Sequence, residues 1–206
     1  MATSAQTVSQ PRMVNGLNVS DVLALIEAVK QDPAEGQTHW KVSSAWRGGT
    51  HTRSYVDSFH LSGKEHRRRF TIDMDEPEQI GGGNLYPNPQ EHLMAALNAC
   101  MMVGYVALCA LHGITLEKLE IETEGDIDLR GFFGLDEDVP AGCESLFYTV
   151  RIKGDATKEQ FAEIHEMVRA TSPNFYHITR AVVLNPKLVV EQSTQAPRTE
   201  TAATSQ

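Results

Sequence analysis

Cysteine, aromatic residues and positive charge are all scarce in this chain. Three cysteines among 206 residues cannot all pair and are too few to hold a secreted scaffold together, so a reducing compartment fits better. No CxxC or HxxxH pair occurs and the eight histidines are scattered. That pattern offers no structural zinc site, and neither a metal nor a cofactor is expected. Eighteen Lys plus Arg against 27 Asp plus Glu leave a net charge of −9. Phosphate backbones repel such a surface, which argues against a nucleic acid partner. The first 17 residues lack the apolar run of a secretory signal, and with the unpaired thiols this gives a cytoplasmic expectation.

Apolar residues make up 41% of the chain, enough for the core of a single domain. One stretch imitates a membrane span. Leu93 to Leu111 is 19 residues long, with Asn98 as its single clearly polar side chain, and that reaches bilayer-crossing length. No Lys or Arg lies within it or beside it, so a positive-inside anchor is missing. Its alanines, Gly104 and two cysteines suit close packing in protein. The expectation is a buried central helix with protein on all sides, and no membrane.

The chain divides into a flexible arm (1–17), an N-terminal helical segment (18–36), a folded domain (37–191) and a disordered tail (192–206). Val22, Leu25, Ile26 and Val29 share one helical face, and Asp32-Pro33 stops that helix. Strand-like runs follow at His39–Trp46, Thr52–Leu61 and His66–Asp73, with Gly48-Gly49 and Ser62-Gly63 as turns. The Arg67-Arg68-Arg69 run reads as a solvated strand end. Beyond Gly81-Gly82-Gly83 comes the long helix, started by Asn88-Pro89 and ended at Gly113. Alternation then marks strands around Leu119–Thr123 and Leu146–Ile152. Phe161, Ile164 and Val168 form the inner face of another helix. Pro173 opens a short helix, and Ala181–Val190 reads as a closing strand that Pro186 confines to an edge. Two groups of antiparallel strands separated by helices give an α+β fold.

The chemistry of interest sits on the long helix. Cys100 lies about three turns from its start among Ala96, Leu97, Met101 and Val103, where a thiol is either a small buried hydrophobe or a reactive group. Cys100 and Cys109 are nine residues apart, which puts them on opposite faces and about 13 Å apart along the axis. A helical disulfide between them is therefore excluded. Cys143 reads as a free loop thiol. The helix dipole acts within the first turn, so ionising Cys100 needs a cation from another element. Glu91 lies across the helix from Cys100, roughly 13 Å away. It fits a capping box with Asn88 as well as it fits a catalytic role.

The run from Pro89 to Cys100 resembles the P-x-E-x-L-x-A-A-L-x-x-C helix of the OsmC/Ohr family, the osmotically inducible protein C and organic hydroperoxide resistance proteins. Trp46-Arg47-Gly48-Gly49, Phe70-Thr71-Ile72-Asp73, Gly81-Gly82 and Ser172-Pro173 fit the same pattern, over roughly residues 40 to 190. The resemblance implies an intertwined homodimer in which antiparallel sheets wrap around paired central helices. It also implies a thiolate that attacks an organic hydroperoxide and becomes a sulfenic acid, which a second cysteine and then an external thiol reduce. An arginine from an early strand holds the thiolate and meets a carboxylate near the helix start. Arg53 is the choice for that arginine, with Arg47 as the alternative and an exposed strand arginine as the plain reading of either. Two positions depart from the pattern. Ser172 stands where the resolving cysteine is usual and makes a good N-cap. Gln90 stands where the Ohr-type carboxylate follows the proline, with Glu91 one place later. Phe132 and Phe133 either roof a substrate pocket together with Ser172 or anchor their loop.

Two functions are thus in view. One is a one-cysteine, thiol-dependent hydroperoxide reductase in which Cys100, Arg53 and Glu91 act and an external thiol resolves the sulfenate. The other is a catalytically altered dimer that binds a small apolar ligand, with Cys100 as packing.

Overall fold

The structure is a computed structural model that describes residues 12–191. The expected tail and residues 1–11 of the expected arm lie outside the described residues. Residues 12–17 of that arm are ordered by a small hairpin. Strands β1 (Met13–Val14) and β2 (Leu17–Asn18) pair across an Asn15-Gly16 turn. The Asn15 amide side chain then ties the turn to the core, donating to the Ile114 carbonyl at 2.9 Å and accepting from the Leu116 N–H at 2.8 Å. Helix α1 (Val19–Gln31) follows, capped by Asn18. Its apolar face is poorly covered: Val22 and Val29 are half-buried, while Leu25 and Ile26 are exposed.

Four strands form the first sheet: β3 (Thr38–Trp40), β4 (Ser43–Gly48), β5 (His51–Leu61) and β6 (Lys64–Met74). All pairings are antiparallel, with β3 and β4 on one side of β5 and β6 on the other. The single run expected at His39–Trp46 is thus two strands. Trp40 faces Phe59 while Ser43 faces Tyr55, so three steps on one strand match four on the other and the ladder breaks. A second irregularity lies between Val56 and Ser58 of β5. There the arginine run sits inside β6 and not at a strand end. The Arg68 guanidinium covers Trp40, Phe59 and Phe70 at 5.6, 5.0 and 5.6 Å from the ring centres, a cation–π cluster.

The core lies in the second half. Helix α2 (Pro89–Leu111) packs on the hairpin of β7 (Leu116–Glu124) and β8 (Phe147–Gly154), on α4 (Lys158–Thr171) and on α5 (Pro173–Thr179); α3 (Leu129–Phe132) is a short turn in the intervening loop. Leu97, Met101, Tyr105 and Cys109, four residues apart along α2, are buried against Ile164 and Val168 of α4, a single helical stripe. Gly104 makes this approach possible, since a Cβ there would sit 3.3 Å from a Val168 methyl. Gly113 has φ 75°, the left-handed position that ends α2.

Two expectations fail within one chain. Helix α2 is long and apolar enough to cross a membrane, but it is not covered on every side: Val103 is 69% exposed. Among the described residues, α4, α5, β7 and β2 are the elements that pack on it, and they leave Val103 open. Ala181–Val190 forms no strand, because within the described chain it pairs with no other strand. Val183, Leu184, Leu188 and Val190 are exposed along it.

Candidate active site

The start of α2 is fixed by its sequence. Asn88 Oδ1 accepts from the Glu91 N–H at 2.8 Å, Glu91 Oε2 accepts from the Asn88 N–H at 2.7 Å, and Pro89 takes the first helical position. The Glu91 carboxylate is therefore engaged in the capping box. Gln90, by contrast, shares a side of the helix with Leu93, Leu97 and Cys100, since these four positions fall within an arc of about 80°.

Cys100 is half-buried and meets α5. The Ser172 hydroxyl, on a residue only 5% exposed, donates to Cys100 Sγ at 3.3 Å. Ser172 is also the N-cap of α5, accepting from the Phe175 N–H at 3.4 Å. The capping role expected from the sequence holds, and the same oxygen touches the sulfur. Cys109 is the contrasting case: fully buried in the core, its thiol is pushed up by desolvation and it serves as a hydrophobe.

Arg53 lies on β5 directly opposite Asp73 of β6. Its Nε donates to Asp73 Oδ1 at 2.8 Å, and the same oxygen bonds His51 Nε2 at 2.8 Å. Asp73 is held below the usual aspartate range by the hydrogen bond from Arg53 and then that from His51; Arg53 is raised in turn, chiefly by Asp73. The ring of Tyr86 stacks on His51 at 5.0 Å. Tyr86 is brought there by buried Asp75, which accepts from Thr50 Oγ1 at 2.5 Å and from the N–H groups of Gly83 and Leu85 at 3.1 and 3.2 Å. These bonds pin the glycine-rich loop to the end of the sheet.

Arg53 thus meets a carboxylate on the neighbouring strand, where sequence reading looked to Glu91. Arg47, the alternative, donates to the Tyr55 hydroxyl and lies over its ring. Sequence reading singled out neither His51 nor Tyr86, and Asp73 entered only as part of a matching strand. The alternation of His51 and Arg53 on one strand face was the available signal. Cys100 and Arg53 belong to separate units of the chain, with α2 packed on β7, α4 and α5 and Arg53 paired inside the first sheet. Among the described residues, no group of three or more His, Cys, Asp or Glu is arranged to hold a metal ion.

A cleft of about 660 Å³ opens beside the cysteine's side of α2, lined by Gln90, Leu93, Met94 and Leu97 of the helix, Cys143 and Leu146 of the loop before β8, and Phe175 of α5. Its walls are mainly hydrocarbon, and Cys100 lies one helical turn beyond Leu97. Phe132 and Phe133 pack edge-to-face with ring centres 5.1 Å apart; both are exposed, and neither lines this cleft.

Comparison with known proteins agrees with this architecture. An uncharacterized protein of Bacillus subtilis, YmaD, is 22% identical over 156 residues, covering 75% of this chain and 93% of that one. The crystal structure of an OsmC-like protein from Mycoplasma pneumoniae superposes with a TM-score of 0.54 at 14% identity, covering 68% of this chain and 87% of the other. An organic hydroperoxide resistance protein, OsmC, from Legionella pneumophila is also similar, at 16% identity, 68% and 88% coverage and a TM-score of 0.43. Residues 81–187, which hold the capped helix, Cys100 and Ser172, match the family described as OsmC-like protein. The chain belongs to the OsmC-like protein family.

Proposed function

We propose that this protein is a homodimeric, thiol-dependent hydroperoxide reductase of the one-cysteine type. Cys100 is the nucleophile. Its thiolate attacks the O–O bond of an organic hydroperoxide, becomes a sulfenic acid and is returned to the thiol by an external thiol reductant. The observation that carries this reading is the Ser172 hydroxyl donating to Cys100 Sγ, one helical turn from Leu97 in the wall of an apolar cleft. The cleft suits the organic group of the substrate, and the hydroxyl at position 172 leaves resolution to a thiol from outside.

In this reading Arg53 of the partner subunit holds the thiolate. Support comes from the bare surfaces of the single chain. Trp46 is 76% exposed on the first sheet, Val103 of α2 is exposed, and the apolar segment after α5 pairs with no strand among the described residues. A second copy brings covers for all three. Asp73 orients Arg53, and Glu91 serves the helix cap. Three free thiols fit a reducing compartment such as the cytoplasm.

Intact-mass measurement tests the reading. Reduced protein treated with one equivalent of cumene hydroperoxide is expected to gain one oxygen atom, and Cys100→Ser to gain none. An unmodified wild type, or an equal gain in the variant, overturns it and leaves the cleft as a binding site for a small apolar ligand.

A further inference from the structure

The reduction of a hydroperoxide has a second chemical demand besides a thiolate. When the O–O bond breaks, the departing oxygen leaves as an alkoxide, a strong base that needs a proton in the same step. Arg53 does not readily supply one, since a guanidinium stays protonated throughout the physiological range. The structure offers another group beside it. His51 Nε2 and Arg53 Nε each lie 2.8 Å from the same oxygen of Asp73, so the two nitrogens can be no farther apart than twice that distance. Wherever Arg53 meets the thiolate and its substrate, the imidazole comes with it.

We propose that His51 is the general acid of the reaction, protonating the leaving oxygen of the hydroperoxide bound beside Arg53. This rests on the peroxidase reading of Cys100. The ring is held for the task. Asp73 takes Nε2, Tyr86 covers one face, and Nδ1 has no hydrogen bond of its own among the described residues. In its protonated form the ring therefore donates through Nε2 to Asp73 and keeps Nδ1–H free to donate. Asp73 on the neighbouring strand, Arg53 on its own strand and Tyr86 on the loop are the titratable groups that face it.

The step balances. The Cys100 thiolate sulfur bonds to the distal oxygen, which keeps its hydrogen, and the O–O bond breaks. Sulfur is oxidised to the sulfenic acid, the peroxide is reduced to the alcohol, and the alcohol's new proton comes from the imidazolium. Neutral His51 then takes a proton from water.

A change of leaving group separates this role from a structural one. Peracetic acid releases acetate, which needs no proton; cumene hydroperoxide releases an alkoxide, which does. In His51→Gln, Cys100 oxidation by cumene hydroperoxide is expected to slow about 100-fold, while oxidation by peracetic acid stays close to wild type. The wild type itself gives a second reading that needs no variant, a rate loss in deuterated water that is larger with cumene hydroperoxide than with peracetic acid. Equal slowing of His51→Gln with both oxidants, no slowing with either, or the same isotope effect for both would overturn the proposal. Wild type that reacts with neither oxidant would instead bring down the peroxidase reading beneath it.

Discussion

Ser172 and Cys100 face each other across 3.3 Å, hydroxyl to sulfur. That separation predicts the behaviour of a single substitution. In Ser172→Cys, one equivalent of hydroperoxide should produce a disulfide between Cys100 and the introduced thiol without any external reductant, visible by peptide mapping under non-reducing conditions. Persistence of free thiols at both positions after oxidant has been consumed would contradict the geometry. The loss of the serine cap is expected to cost about 0.5–2 kcal/mol, because the cap satisfies an otherwise unpaired N–H at the start of α5.

Asp75 makes the second residue-level argument. It is held below the ordinary aspartate range, chiefly by Thr50 and then by the loop N–H groups. A carboxyl whose folded value lies below its unfolded one, about 3.9, stabilises the fold fully above that unfolded value. Its contribution is lost as the pH falls through the lowered folded value. Asp75→Asn should therefore be less stable than wild type at neutral pH, and its urea midpoint should fall less between about pH 5 and pH 2. A parallel fall in both proteins would show that Asp75 carries no such linkage.

At the scale of elements, α2 separates capping from catalysis. Glu91 is committed to the capping box, so Glu91→Gln should leave the rate of Cys100 oxidation unchanged. Asn88→Ala should cost about 0.5–2 kcal/mol in chemical denaturation. A large loss of oxidation rate in Glu91→Gln would return that carboxylate to the reaction.

The element scale also marks what could be read from the sequence. The capped helix, the alternating strands at Leu119–Thr123 and Leu146–Ile152 and the Phe161–Ile164–Val168 face carry local signals, and each holds. The Arg53–Asp73 pair was hidden. Counting back from the tight turn at Ser62-Gly63, where Leu61 pairs with Lys64, puts Ile72 opposite Arg53. The irregularity between Val56 and Ser58 moves the register by one residue and delivers Asp73 instead. Periodicity has no means of showing such a slip. The split of His39–Trp46 is likewise a register shift, here with the extra residue on β5.

The whole molecule exposes what one chain leaves unfinished. Among the described residues, the first sheet carries Trp46 and Phe70 on the surface, α2 shows its Val103 side, and the segment after α5 runs apolar and unpaired. The helix pattern records an apolar surface that calls for cover without recording what covers it. The proposal built on that incompleteness is that Arg53 of the partner subunit holds the Cys100 thiolate. In a two-fold dimer each such contact occurs twice, once in each direction.

A hybrid dimer tests this most directly. Arg53→Ala and Cys100→Ser chains, co-expressed with different tags, are purified as the mixed dimer and titrated with cumene hydroperoxide. The account predicts that each parent homodimer is inert or nearly so, while the hybrid forms one sulfenate per dimer at the wild-type rate, because one intact arginine meets one intact cysteine across the interface. A hybrid as unreactive as its parents would contradict it.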